Sequence, residues 1–292
     1  MATRYWLGNN SGNEGDASVA ANWSDNTAPS SWGTGDIIIF DARAGDDATT
    51  GKKYSCDWSS YTTAKQLAQV LVSEGYDGDI GSATYPFNLY CTTRLVYEGA
   101  GTGYFKANGG DNALLVINGG IIDLQSASGS EWTEIRQLSG TSNLENSCVA
   151  QDIYMMGGTL VGGTGILNDS STAVNFVQLA GTITWDSSIA NCYVYGGTFY
   201  WGSETNEGTD VSADVDLTGT LEVWNSGVFY WRIDLRNSGA TRTSDLKQFK
   251  LYNGGTLDAS QTIGSAGPKR IGTGSSEISY VFGASIAKFN NG

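Results

Sequence analysis

Val-Gln-Leu-Ala-Gly-Thr-Ile-Thr-Trp, residues 177 to 185, decides how the chain is read. Apolar and polar side chains alternate on both sides of Gly181, a period of two that belongs to a strand and not to a helix. The glycine marks a bend where the backbone turns sharply or takes positive φ without a Cβ clash. Working outward, the same strand-bend-strand phrase recurs at Leu114 to Leu124, Ile135 to Leu144, Ile153 to Val161, Phe176 to Trp185, Cys192 to Trp201, Val215 to Val223, Trp231 to Thr241 and Phe249 to Ala259. Its corner glycines fall at 120, 140, 158, 181, 197, 219, 239 and 255. The mean spacing of about 19 residues lies in the range of solenoid repeats. The expected fold is therefore all-β: a β-solenoid, parallel β-helix-like, in which neighbouring coils bury each other's apolar faces.

Residues 1 to 62 do not follow the phrase and hold Trp6, Trp23, Trp32 and Trp58, four of the nine tryptophans. They are expected to form a small aromatic-rich N-terminal cap with a strand at Ile37 to Phe40, against which Lys53 to Trp58 pairs. Residues 63 to 262 are the solenoid body, with Leu67 to Val72 read as a strand. Residues 263 to 292, with the apolar Ile278 to Phe289, are a C-terminal cap. Caps are needed because an open solenoid end would pair with other chains.

Composition narrows the function. Forty glycines and only three prolines, with no triplet period, exclude collagen, and the aromatic content argues for a folded core. A net charge of −14 leaves no basic stripe for a nucleic-acid backbone or an anionic membrane. No apolar run is long enough to span a bilayer, and the first residues lack the pattern of a secretory signal, so a soluble protein made in a cytoplasm is expected. Cys56, Cys91, Cys148 and Cys192 have no metal or redox spacing and read as buried small hydrophobes.

The chain has no histidine, which removes Ser/His/Asp and Cys/His triads and His-ligated zinc. Carboxylates remain: Glu131 with Glu134, Asp214 with Asp216, and Glu204, Glu207 and Asp210. A glycosidase needs two of them facing each other across the cleaved bond, but these lie in polar runs that read as solvated strand faces and loops. Asp46 and Asp47 lack the ligand spacing of a calcium loop. No catalytic residue, metal or cofactor is expected. The triplets Phe199-Tyr200-Trp201 and Phe229-Tyr230-Trp231, with Trp185 and Trp224, are the most suggestive side chains. Each triplet must place at least one ring outside, and Tyr200, Trp201, Tyr230 and Trp231 are the candidate aromatic interface.

The opening Arg4-Tyr5-Trp6-Leu7-Gly8, then Ala21-Asn22-Trp23-Ser24, Pro29 and Gly35-Asp36-Ile37-Ile38-Ile39-Phe40-Asp41, followed by Gly-Gly-Thr coils, resembles a group of tailed-phage virion proteins with β-helical bodies. The likeness covers about the first 41 residues by motif and the remainder by repeat style. It implies a non-enzymatic virion structural protein on the outer capsid surface, most simply a capsid decoration or cement protein bound to the major capsid protein. A head or tail fibre, or a tailspike-type β-helix that binds or cleaves host polysaccharide, is the alternative. A homo-oligomer is expected, three copies favoured, with no nucleic acid or membrane partner. Capsid attachment is expected through Arg4, Tyr5, Trp6, Trp23 and Trp32, because buried Trp, Tyr and Arg make strong interface anchors.

Overall fold

The computed structural model describes residues 1–144, 148–162, 174–202, 217–231, 244–259, 269–271, 280–281 and 285–289. The chain forms two compact units, Met1–Ala150 and Gln151–Gly292. Every strand pairing in both is parallel, and the only helical pieces among the described residues are single 3-10 turns at Ala20–Asn22 and Pro29–Ser31. The expected all-β parallel solenoid is the observed fold.

In the first unit the strands are β1 (Thr3–Tyr5), β2 (Ile37–Phe40), β3 (Lys65–Val72), β4 (Phe87–Tyr97), β5 (Thr102–Ala107), β6 (Asn112–Ser126) and β7 (Trp132–Leu144). Each joins the next in register: β1 to β2, β2 to β3, β3 to β4, β4 to both β5 and β6, β5 to β6, and β6 to β7. β6 and β7 run through their corners without a break. Gly120 (φ 51°) and Gly140 (φ 80°) make the bend, and a Cβ at Gly140 would strike the Gly119 carbonyl.

The N-terminal segment is joined to the body by strand pairing, β2 lying directly against β3, and one expectation about it is corrected. Lys53 to Trp58 does not pair with β2. That segment makes single bridges instead, Lys53 with Asp46, Cys56 with Ile80 and Asp57 with Asp16.

The second unit contains β8 (Ala150–Met155), β9 (Thr159–Gly162), β10 (Val174–Gln178), β11 (Thr182–Trp185), β12 (Ile189–Val194), β13 (Thr198–Trp201), β14 (Leu217–Trp224), β15 (Val228–Trp231), β16 (Ser244–Tyr252), β17 (Thr256–Ala259), β18 (Lys269–Ile271), β19 (Tyr280–Val281) and β20 (Ile286–Phe289). They form two ladders. One runs β8, β10, β12, β14, β16, with β18 and β19 against separate stretches of β16. The other runs β9, β11, β13, β15, β17, β20. The segment expected as a C-terminal cap therefore contributes strands of a further coil.

The coil length is not constant. Thr159, Thr182, Thr198, Val228, Thr256 and Ile286 stack in register, so successive coils advance 23, 16, 30, 28 and 30 residues. The uniform spacing read from the glycines does not hold because Gly219 is not a corner: it lies inside β14, packed on the Asn191 side chain at a register shift. Gly255 does close the corner before β17, but the positive φ there falls on Asn253 and Gly254. The corners of these two coils, Trp224-Asn225-Ser226-Gly227 and Tyr252-Asn253-Gly254-Gly255, are one residue longer than Tyr195-Gly196-Gly197. Asn225 (φ 51°) and Asn253 (φ 50°) enter the left-handed region, which asparagine tolerates. Gly239 lies outside the described residues.

The inward residues of each ladder form the core. In the second unit Phe176, Cys192, Leu221 and Phe249 stack on one ladder and Leu160, Ile183, Phe199, Phe229 and Leu257 on the other, all buried. All four cysteines are buried and unbridged. Burial pushes the Cys91 thiol up to about 11 and Cys192 well above its ordinary value, so neither is a thiolate at neutral pH.

Candidate interaction surface

The phrase that carries the resemblance closes on itself. Trp6 and Trp23 are bridged antiparallel, and Ser24 donates its N–H to the Tyr5 carbonyl at 3.0 Å. Leu7 donates to the Asn22 carbonyl at 2.8 Å, and the Ser24 hydroxyl accepts from the Tyr5 N–H at 3.1 Å. The free edge of β1 is thus covered by its own chain, which protects it from strand addition. Asn22 is fully buried and satisfied: its Oδ1 accepts from Asn10 N–H at 2.8 Å, and its amide donates to the Asn13 and Asp16 carbonyls.

Arg4 is buried and held between Asp36, in a short ion pair, and Asp25 at 2.9 Å. Burial pushes the Asp36 carboxyl up, but N–H donors from Ala2 and Gly33 and the Arg4 guanidinium outweigh it and hold the group below its usual range. Trp6 and Trp23 have essentially no exposed surface, with centroids 5.0 Å apart. Arg4, Trp6 and Trp23 therefore cannot present an attachment surface in this fold, because each is consumed by the internal core. Of the expected anchors only Tyr5 and Trp32 are half-buried, and Arg43 already lies 3.7 Å over the Tyr5 ring.

The triplets divide as strand alternation requires. Phe199, Trp201, Phe229 and Trp231 are buried, with Trp201 on Trp231 at 5.5 Å, so the two tryptophans leave the candidate interface. Tyr200 and Tyr230 point outward and stack on each other at 5.0 Å and 13°.

A second outward column had no signal in the triplets. Directly before each corner stand Met156, Leu179, Tyr195, Trp224 and Tyr252. Registers Met155 with Gln178, Val194 with Val223 and Trp224 with Tyr252 place them one above another. Met156, Leu179 and Tyr195 are 45%, 51% and 37% exposed. Trp224 lies 3.9 Å from Tyr252 at 21°, and 6.1 Å from Tyr195 at 29°. These separations bracket the coil spacing of about 4.8 Å. Each ring covers the face of the next, so the column offers ring edges to the outside. The signal was available: the residue two before the corner Gly, or immediately before Asn-x-Gly, is a large aliphatic or aromatic residue in every one of these coils.

Beside it, the outward residues of the same strands are Tyr154, Val177, Tyr193, Glu222 and Lys250. Glu222 and Lys250 are paired at 3.0 Å, and Trp224 Nε1 donates to Glu222 at 3.3 Å. The outer border is a polar ladder. Asn175 donates to Asp152 at 2.9 Å, Asn191 donates to Asn175 at 3.0 Å, and Asn191 Oδ1 accepts the Thr220 N–H at 3.0 Å.

Glu134 is ion-paired with Arg136, Asp46 with Lys53 at 2.7 Å, and Asp47 holds the Thr49 N–H and the Thr50 hydroxyl. Glu204, Glu207, Asp210, Asp214 and Asp216 lie outside the described residues. Among the described residues no three His, Cys, Asp or Glu side chains are gathered to hold a metal ion. No protein family, curated protein or solved structure matches this chain.

Proposed function

We propose that the chain is a non-enzymatic structural protein of a virion, a β-solenoid that decorates the outer capsid surface by binding the major capsid protein. The observation that carries this reading is the corner column. It is apolar, in register over five coils and built of side chains supported by one another, which suits a fixed protein contact. Sugar stacking needs free ring faces, and in this column the faces of Trp224 and Tyr252 cover each other. The N-terminal phrase adds the resemblance to phage virion proteins, and its folding into a closed edge fits a protein that assembles by side surfaces and not by strand addition.

Incubating purified protein with empty shells, and measuring occupancy by quantitative mass spectrometry, tests the proposal. Decoration predicts saturable binding at copy numbers that scale with the capsid lattice. Absence of shell binding, together with release of sugar from host polysaccharide, would move the protein to the polysaccharide-degrading class.

A further inference from the structure

The face formed by the corner column and its neighbour is built to pair with a second copy of itself. We infer that two chains pack these faces antiparallel about a two-fold axis passing near Tyr195. This deepens the oligomer part of the reading above and replaces the three copies favoured from sequence with two.

Charge selects the occupant first. The chain carries −14 overall, so a second copy is repelled by most of its surface. The corner column has no charged residue, and in the neighbouring column Glu222 and Lys250 neutralise each other. Two like-charged chains can approach here without setting net charge against net charge.

Shape then selects the orientation. The column grows from the aliphatic Met156 and Leu179 to the bulky Trp224 and Tyr252, with Tyr195 in the middle. An antiparallel pair sets Met156 against Tyr252, Leu179 against Trp224 and Tyr195 against its twin, so aliphatic meets ring at both ends, ring meets ring only at the centre, and the separation is evened out. A parallel pair sets aliphatic against aliphatic and ring against ring, leaving a gap at one end. The contact is isologous, as a two-fold interface requires, and the two faces meet as sheets about 10 Å apart.

Size sets the strength. Five levels about 4.8 Å apart and two columns about 7 Å apart make a face on the order of 300 Å². That is within the range of functional patches but at the weak end of protein interfaces, so the pairing is reversible and needs high concentration.

Sedimentation of the full chain up to about 1 mM should show a monomer–dimer equilibrium that tightens as salt rises from about 0.01 to 0.15 M, because the Debye length falls from about 30 to 8 Å. Leu179→Glu should weaken it at least tenfold while leaving the melting temperature unchanged, since Leu179 is half exposed. Orientation is read with a short bis-maleimide. Tyr195→Cys should give covalent dimers, whereas Met156→Cys should not, its twin standing about 19 Å along the column. The native cysteines, all buried, do not compete. A chain monomeric under all these conditions overturns the inference, as does a dimer that ignores Leu179→Glu. Cross-linking at both positions would make the pairing parallel and refute the orientation. Failure here is separable from failure of the virion reading, because a monomeric Leu179→Glu chain that still coats shells removes only the dimer.

Discussion

The aromatic residues of the two units do opposite work, and the angles between their rings show why. Around the N-terminal phrase the rings meet edge to face, Trp6 on Trp23 at 63° and Trp23 on Trp32 at 89°. Between register partners on adjacent coils of the second unit they lie nearly parallel, Tyr200 on Tyr230 at 13° and Trp201 on Trp231 at 26°. In the first case residues from loops of unrelated sequence converge, and the rings take the T-shaped arrangement their quadrupoles favour. In the second the coil repeat fixes the backbone spacing and imposes stacking on whatever ring stands there. A tertiary cluster depends on all its members. A ladder loses one rung at a time.

The comparison breaks most visibly at Trp23. Its indole is fully buried, donates to the Ala17 carbonyl at 3.0 Å and touches Trp6, Trp32, Phe40 and Trp58. Trp23→Ala should cost about 3 to 5 kcal/mol in chemical denaturation and uncover the edge of β1, so aggregation should accompany it. Next is Asp36→Asn, which leaves Arg4 buried with only Asp25 and should cost about 3 kcal/mol. The same pair gives a pH dependence. A carboxyl held below its usual value stabilises fully above the unfolded value of 3.8, and that stability is lost as pH falls through the lower folded value. Acid melting of wild type should therefore steepen below about pH 4, while Asp36→Asn lacks this component.

The repeat was legible in the sequence because strand alternation and corner glycines are local. Gly158, Gly181 and Gly197 do take φ near 80°. Coil length was not legible, because loops of different size leave the same register: Thr182 to Thr198 and Thr198 to Val228 each span one coil. Gly219 misled because a glycine also serves a close packing contact, here against Asn191. The N-terminal phrase suggested surface anchors. Only partners well separated along the chain, Asp36 for Arg4 and Trp23 for Trp6, show that it faces inward. The corner column was hidden because no single coil contains it.

The ladder side of the comparison predicts smaller, graded losses. Gly197→Val meets two penalties, a φ of 80° and a Cβ that would strike the Gly181 carbonyl, so it should cost about 2 to 3 kcal/mol, beyond backbone entropy alone. In the polar ladder Asn175 both donates to Asp152 and accepts from Asn191, so Asn175→Ala removes both bonds and should cost about 1 to 2 kcal/mol.

The smallest effect belongs to the outward rings, and it separates ladder from cluster most cleanly. Tyr230 stacks on Tyr200 at 5.0 Å but stands on the outer face, above a core that Phe229 and Trp231 fill without it. Its removal opens no cavity, so Tyr230→Ala should cost only about 0.5 to 1.5 kcal/mol, the worth of one ring contact beyond burial. If stacking along the coils is the source of that energy, Tyr230→Phe should restore it, because a phenyl face stacks as a phenol face does. A double-mutant cycle with Tyr200→Ala should then return a coupling within the same range. A loss as large as that at Trp23 would mean that the outer ladder carries the fold of the second unit, and the division between a cooperative cluster and independent rungs would fail.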